Sequence, residues 1–524
     1  MAASSDPIAA ITAGYTFDTP SIDLGVLMAD GNPLPTTRIR LSLSMLNRHG
    51  LVAGATGTGK TRTLQLMAEQ ISRAGVSVFA ADIKGDLSGI AIPGTPSEKL
   101  LARTTKIGQD WKPEGCPVEF YSLGGLGNGV PIRATVSSFG PILLSKVLGL
   151  NDTQESSLGL VFHFADTQGL PLLDLADLKQ VMLYLTSDEG KPVLKELGGL
   201  SSATVGVILR SLVTLQTQGA DEFFGETEFD TRDLVRTTSD GHGVISLLEL
   251  PDLQDRPAIF STFLMWVLAD LFSDLPEVGD LDKPKLVFFF DEAHLLFDGA
   301  SKAFLSAIAQ TVRLIRSKGV GIFFVTQSPT DVPDDVLAQL GSRVQHQLRA
   351  HTPKDAKALR ATVETYPTSH YDLAETLQSL GIGEAIVTVL NPNGAPTPVA
   401  WTRMLAPLAA MEPMNPEWLT NGVASSPMQA KYGPEVDRDS AYEMLTRRLE
   451  EGAAKAKAEA EAAEQAKAQA KAEAQAQRPT RSSGSSRPAP KSGVEKVLSS
   501  PTFWNQVMRV GGQVARTYWG TARR

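Results

Sequence analysis

Residues 54–61 read Gly-Ala-Thr-Gly-Thr-Gly-Lys-Thr, with Gly54, Gly59, Lys60 and Thr61 at the spacing G-x-x-x-x-G-K-[ST]. That spacing serves phosphate binding. Gly54, Gly57 and Gly59 let the backbone wrap tightly and turn its amides inward, and Ala55, Thr56 and Thr58 complete the loop. A helix starting here adds the positive end of its dipole. Lys60 reaches the β- and γ-phosphates of a nucleotide, and the Thr61 hydroxyl is a ligand for Mg²⁺. ATP with Mg²⁺ is the cofactor pair expected at Gly54–Thr61.

Hydrolysis needs more than a cradle. It needs a carboxylate for Mg²⁺ and a group that orients or deprotonates water. Leu-Val-Phe-Phe-Phe-Asp291-Glu292-Ala-His offers both at the end of an apolar run. Asp291 is expected to hold the Mg²⁺ shell and Glu292 to activate the attacking water. A second apolar run ends Phe323-Phe324-Val325-Thr326-Gln327, where Gln327 is read as a γ-phosphate sensor; a loop-capping amide is the plainer reading. Lys60, Glu292 and Gln327 are thus the catalytic candidates, and Thr61 and Asp291 the metal ligands. His294 reads as a packing or supporting residue, since no Cys/His cluster in the chain has zinc spacing.

These residues require strand ends to hold them. Leu51-Val-Ala53 reads as the end of a buried strand, and Leu64, Leu66, Met67 and Ile71 follow at roughly helical spacing. Val76–Asp82 reads as a second strand, followed by the polar loop Lys84-Gly-Asp-Leu-Ser-Gly89. Such loops at strand ends are where open α/β sheets place ligands. Asp82 or Lys84 could therefore lie near nucleotide or serve only to fix the loop. Further strands are expected at 117–135, Val244–Leu250, Leu286–Phe290, Gly319–Val325, Val344–Ala350 and Glu384–Leu390, with helices at Ala258–Phe272 and Ser301–Ser317. Strands that are apolar throughout and alternate with helices predict a mainly parallel sheet buried on both faces. The fold class is α/β: a P-loop NTPase core with a helical insertion at about 141–235 and a helical C-terminal tail.

Around this core, residues 1–45 read as a short N-terminal segment packed on the sheet, and 46–405 as the ATPase domain. Residues 406–440 form a connecting segment in which Pro, Met and Asn interrupt any pattern. Residues 441–477 are an Ala/Glu/Lys/Gln-rich helix, 478–493 a disordered linker, and 494–524 a basic amphipathic helix. In that last helix Phe503, Val507, Val510, Val514 and Tyr518 share one face. It is expected to dock on its own or a neighbouring subunit, with a partner protein or an anionic membrane surface as less favoured alternatives.

Composition narrows the class. With 42% hydrophobic and 20% charged residues the chain is ordinary for a soluble protein, and its single cysteine, Cys116, excludes an internal disulfide framework. No apolar run reaches bilayer-spanning length and the N-terminus lacks a signal-peptide build, so a cytoplasmic location is expected. The net charge of −9 does not advertise nucleic-acid binding. Residues 478–524 carry nine Lys/Arg against one acid, a tail of +8, which leaves −17 for the rest.

Four stretches together resemble the HerA/FtsK superfamily of ring ATPases: Asn47–Thr61, Asp82-Ile-Lys-Gly-Asp-Leu-Ser-Gly89, Asp291-Glu-Ala-His294 and Arg316–Gln327. The nearest likeness is to the YjgR-type branch of HerA-like helicases, which Leu148–Ser156 also resembles. The resemblance covers about residues 20–405 and, more loosely, the basic tail. It implies a RecA-like core, a homo-hexameric ring, ATP hydrolysis between subunits, and DNA translocation or unwinding through the pore. It also implies an arginine finger at Arg316, whose alternative is a helix-terminal arginine satisfying the dipole or an ion pair within its own subunit. Archaeal HerA carries an N-terminal β-barrel used in nuclease contact. Only about 45 residues precede the phosphate loop here, which speaks against a nuclease partner and leaves the tail to brace the ring. Two rivals stand beside a DNA motor: a motor for a protein substrate, and a nucleotide-gated scaffold. Glu292 argues against a pure switch.

Overall fold

Five residues in succession, Leu286–Phe290, are buried without exception, and so are the seven of Val320–Thr326. Strands this apolar have both faces covered. In the computed structural model, which describes residues 6–476 apart from 197, 251–255, 280, 299, 435 and 437, they lie side by side near the middle of one sheet. The basic amphipathic tail and the linker before it fall outside the described residues.

The described strands are β1 (Ser21–Ala29), β2 (Asn32–Ser42), β3 (Gly50–Ala53), β4 (Ser77–Asp82), β5 (Val118–Leu123), β6 (Val130–Ile132), β7 (Ile245–Glu249), β8 (Leu286–Phe290), β9 (Val320–Thr326), β10 (Ser342–Gln345), β11 (Glu384–Thr388) and β12 (Ala400–Met404). Their order is β2-β1-β12-β11-β10-β3-β9-β8-β4-β7-β5-β6. From β10 to β6 all pairings are parallel; from β10 back to β2 all are antiparallel. The protein is thus α/β with a mixed, mostly parallel sheet, and its antiparallel third joins the two ends of the core. At the β1–β2 turn Asp30 and Gly31 take positive φ (49° and 73°), a conformation that Asp-Gly supports.

Alternate side chains pack opposite faces. Phe288 and Phe290 stack on one face (5.5 Å between ring centroids), with Phe79 against Phe288 at 5.0 Å; Phe289 meets Phe323 at 5.3 Å on the other. Ring stacking across β4, β8 and β9 fixes the register of the strands whose ends carry Asp82, Asp291 and Thr326.

Helices Val136–Val147, Asp152–Thr167, Leu175–Thr186 and Ser202–Thr217 fill the interval between β6 and β7. Their starts are fixed by side-chain caps: Thr135, Asn151, Asp174 and Ser201 each accept an amide of the first turn. Residues 405–414 have no apolar period because side-chain-to-backbone bonds hold them. Glu69 accepts the Leu408 and Ala409 amides (both 2.9 Å), Gln65 donates to the Ala410 carbonyl (2.7 Å), and the Trp111 indole donates to the Pro407 carbonyl (2.7 Å). Gln65 and Glu69 lie on the Lys60–Arg73 helix, so this segment is stapled to the helix that starts at the phosphate loop. The backbone contacts divide the chain after Gly452. In the second unit every side chain from 453 to 473 is exposed along the Ala441–Ala476 helix. Among the described residues no helix is long and apolar enough to cross a membrane.

Candidate functional site

β3 ends at Ala53, in the interior of the sheet between β9 and β10. The chain then turns through Gly54, Gly57 and Gly59, with φ of 156°, 79° and 117°, and starts a helix at Lys60. At Gly54 only a hydrogen fits, since a Cβ would sit 2.5 Å from the His346 Cβ. The loop is tied at both flanks. The Gly54 amide donates to the Thr326 carbonyl (3.2 Å), the Ala55 amide to Gln347 (2.8 Å), and the Gly383 amide to the Thr58 carbonyl (3.0 Å). Thr56 and Gly57 are exposed at its crest, and Thr61 is half-buried in the first helical turn.

The Lys60 ammonium is buried inside this loop and donates to the Gly54 carbonyl (2.6 Å) and the Ala55 carbonyl (3.3 Å). Burial, opposed by the Glu292 charge, lowers its pKa. The loop therefore carries a partly desolvated cation within a ring of backbone groups, which suits a polyphosphate. Beneath it His346 is fully buried. Its Nδ1 lies 2.8 Å from the Glu384 carbonyl, which can only accept, so Nδ1 holds the proton and Nε2 accepts from the Thr63 hydroxyl (2.9 Å). Burial pushes His346 down to about 4, which keeps the imidazole neutral under the cradle.

Asp291 and Glu292 follow β8 directly. Asp291 is 1% exposed; its Oδ1 accepts the Glu292 amide (2.8 Å) and its Oδ2 has no hydrogen-bond partner among the described residues. Burial raises its pKa to about 7, with Lys84 acting against the shift. A buried carboxylate oxygen left open beside a phosphate loop fits a hard cation such as Mg²⁺. Among the described residues no three His, Cys, Asp or Glu side chains could hold a metal by themselves. Mg²⁺ in such sites takes much of its shell from water and phosphate.

Glu292 sits in the left-handed region (φ 47°), where non-glycine residues are uncommon. Three side chains converge on it: Lys84 forms an ion pair with Oε1, Gln327 donates to Oε2 (3.4 Å), and His294 Nδ1 lies 3.2 Å from Oε2. Burial acts to raise the Glu292 carboxyl, but the Lys84 hydrogen bond and charge, with Gln327 and His294, outweigh it and hold the group below its ordinary value. The two carboxylates thus diverge, one raised and one lowered.

Asp82 and Lys84 divide the two readings left open for their loop. Asp82 accepts the amides of Lys84 (3.2 Å), Gly85 (2.8 Å) and Leu87 (2.7 Å) and so shapes the loop; Lys84, presented by that loop, reaches Glu292. His346 and Arg349 were not singled out in the sequence. Arg349 donates to the Thr56 carbonyl (3.4 Å), and with Ala55, Thr56, His294, Gln327 and Asp331 it lines a cavity of about 880 Å³ beside the loop. Arg316 stands apart. It follows the Lys302–Ile315 helix at the start of β9, whereas the loop and the carboxylates lie at the strands' C-terminal ends. It is exposed, and among the described residues its guanidinium makes no hydrogen bond or ion pair, though its charge bears on the buried His49.

A phosphate loop after β3 and a buried aspartate and oriented glutamate after β8, two parallel strands with β9 between them, define a P-loop NTPase fold. The chain belongs to the family of helicase HerA-like C-terminal proteins, whose model matches residues 29–524. It is 25% identical over 394 residues to a probable helicase of Methanocaldococcus jannaschii, covering 71% of this chain and 68% of that protein. It is 24% identical over 357 residues to the DNA double-strand break repair helicase HerA of Saccharolobus solfataricus, covering 67% of this chain and 63% of that one. The bacterial conjugative coupling protein TrwBdeltaN70 has a similar fold, with a TM-score of 0.51 and 14% identity over 78% of this chain and 95% of its own.

Proposed function

We propose that the chain is a Mg²⁺-dependent ATPase of the YjgR-type branch, which assembles as a homo-hexameric ring and hydrolyses ATP at subunit interfaces to translocate or unwind DNA. One observation carries the ATPase reading: the open Oδ2 of Asp291 and the oriented carboxylate of Glu292 stand at strand ends beside the Lys60 loop. Mg²⁺, held by Asp291 and Thr61, would neutralise phosphate charge. Gly54 to Thr61 bind the polyphosphate through amides and the Lys60 ammonium. Glu292 orients water and accepts its proton, and Gln327 keeps Glu292 aimed while facing the γ-phosphate.

Arg316 supports the ring. It makes no hydrogen bond or ion pair in its own subunit among the described residues, and it lies just before the N-terminal end of β9, at the end of the strands opposite its own loop. A neighbour's ATP could meet it there, where such a finger is worth roughly 10³–10⁵ in rate. Mixing tests this. Arg316→Ala and Lys60→Ala proteins should each be inactive, and subunit exchange between them should restore part of the phosphate release. A mixture that stays dead despite demonstrated exchange removes Arg316 from the site.

DNA as the track is tested by phosphate release with and without duplex at two salt concentrations. Stimulation that falls steeply with salt is expected from phosphate contacts. The −17 carried outside the basic tail favours the second reading, a protein-substrate motor or a nucleotide-gated scaffold, and no stimulation at low salt would select it.

A further inference from the structure

The two carboxylates and Gln327 stand on one flank of the phosphate loop. Asp291 and Glu292 follow β8 and Gln327 follows β9, on one side of β3; β10 and β11 lie on the other. A nucleotide whose γ-phosphate faces Gln327 and Glu292 must carry its base away from them, toward β10 and β11. There, immediately before β11, the chain reads Gly381-Ile382-Gly383.

This turn is built against the loop. The Gly383 amide donates to the Thr58 carbonyl (3.0 Å), and a Cβ on Gly59 would lie 3.4 Å from the Gly383 Cα. Three further backbone groups of the turn are tied as well. The Ile382 carbonyl accepts from Arg403 (3.1 Å), the Gly383 carbonyl from Arg103 (3.3 Å) and the Met404 amide (3.0 Å), and the Gly381 amide donates to Glu384 (3.0 Å). Yet Ile382 itself is 73% exposed, more than any other large hydrophobic side chain among the described residues. A loop this restrained cannot turn its isoleucine inward, so the apolar surface stays in water until something covers it.

We propose that Ile382 is the platform on which the base of the bound nucleotide packs. The inference rests on the nucleotide-binding reading of the phosphate loop and deepens it. A branched alkyl face recognises a flat heterocycle by area rather than by hydrogen bonds, so nucleoside di- and triphosphates are the ligand class, with the larger purine bases gaining more contact area than pyrimidines. The contribution is common to ATP and ADP, because it does not involve the γ-phosphate.

The test is equilibrium titration of the full chain with ADP, with a non-hydrolysable ATP analogue and with inorganic tripolyphosphate. Ile382→Ser should weaken both nucleotides by the same factor, about tenfold, and leave tripolyphosphate unchanged. Ile382→Leu should bind like wild type. The side chain is exposed, so neither variant should disturb folding. Nucleotide affinity unchanged in Ile382→Ser overturns the proposal, as does an equal loss for tripolyphosphate. Unchanged affinity with a lower oligomer mass by light scattering also overturns it and gives the face to a second copy of the chain. A wild-type chain that binds neither nucleotide nor tripolyphosphate would instead remove the phosphate-loop reading itself.

Discussion

The two halves of the candidate site are made of different material. Gly54–Thr61 is a backbone device: amides, glycine torsions and one lysine folded onto its own loop. Asp291 and Glu292 form a side-chain device in which Lys84, Gln327 and His294 reach in from two other strand ends and a short helix. A backbone device depends on residues adjacent in sequence, and the dihedral demand on each is severe. A side-chain device is assembled across strands, and its parts are exchangeable in chemistry but not in charge. The halves should therefore fail differently.

The largest effects should come from their central residues. Lys60→Ala should weaken binding of a fluorescent ATP analogue and abolish phosphate release. Glu292→Gln should keep the binding and lose turnover by on the order of 10²–10⁴-fold. Wild-type hydrolysis by Glu292→Gln would end the assignment of the carboxylate half.

Next comes the ion pair. Removing a charged partner from a buried carboxylate costs about 1.5–3 kcal/mol, so Lys84→Met should lower kcat roughly ten- to a hundredfold with KM little changed. Lys84→Arg should recover much of it. A rise in KM at constant kcat would make Lys84 a ground-state phosphate ligand instead.

The backbone half should be broken by a single methyl group. Gly54→Ala must accommodate both φ of 156° and a contact of 2.5 Å with the His346 Cβ, so affinity and thermal stability should drop together. A variant with unchanged melting temperature and unchanged binding would show that the loop has room the glycine does not use.

The last effect is on stability rather than turnover: a pH dependence from two buried histidines, His49 just before β3 and His346 beneath the cradle. Burial pushes His49 and His346 from 6.5 to about 4. Between those values the unfolded chain binds protons that the folded chain refuses, so stability falls as pH drops from 6.5 toward 4, by about 1.4 kcal/mol per unit for each group. His346→Gln should flatten part of that slope in melting curves recorded across the window. An unaltered slope would place the acid sensitivity elsewhere.

Legibility followed the same division. The phosphate loop and the Asp291-Glu292 pair could be read because their spacing is local and each sits beside a strong apolar run. Lys84 was visible only as a loop residue, because its contact with Glu292 depends on the β4–β8 pairing. His346 carries no local signature at all; its importance comes from lying under Gly54 after a parallel crossover. Residues 405–414 looked patternless because Gln65, Glu69 and Trp111 hold their backbone, and such bonds leave no period. β12 was missed for a related reason: only alternate residues of Ala-Trp-Thr-Arg-Met are buried, in a run of five.

The pairing of β1 with β12 has a consequence for biogenesis. Gly25 stands opposite Met404, and the Tyr15 hydroxyl lies 2.9 Å from the carbonyls of both Val387 and Pro398. A ribosome delivers β1 and β2 first and their partner only after nearly the whole ATPase unit has emerged. Until then the early hairpin is a two-stranded piece, marginal in isolation, and the late closure carries the entropy of a very long loop. Truncated or stalled nascent chains ending before residue 400 should therefore expose an unsatisfied sheet edge, the feature that chaperones and proteases recognise in incomplete proteins.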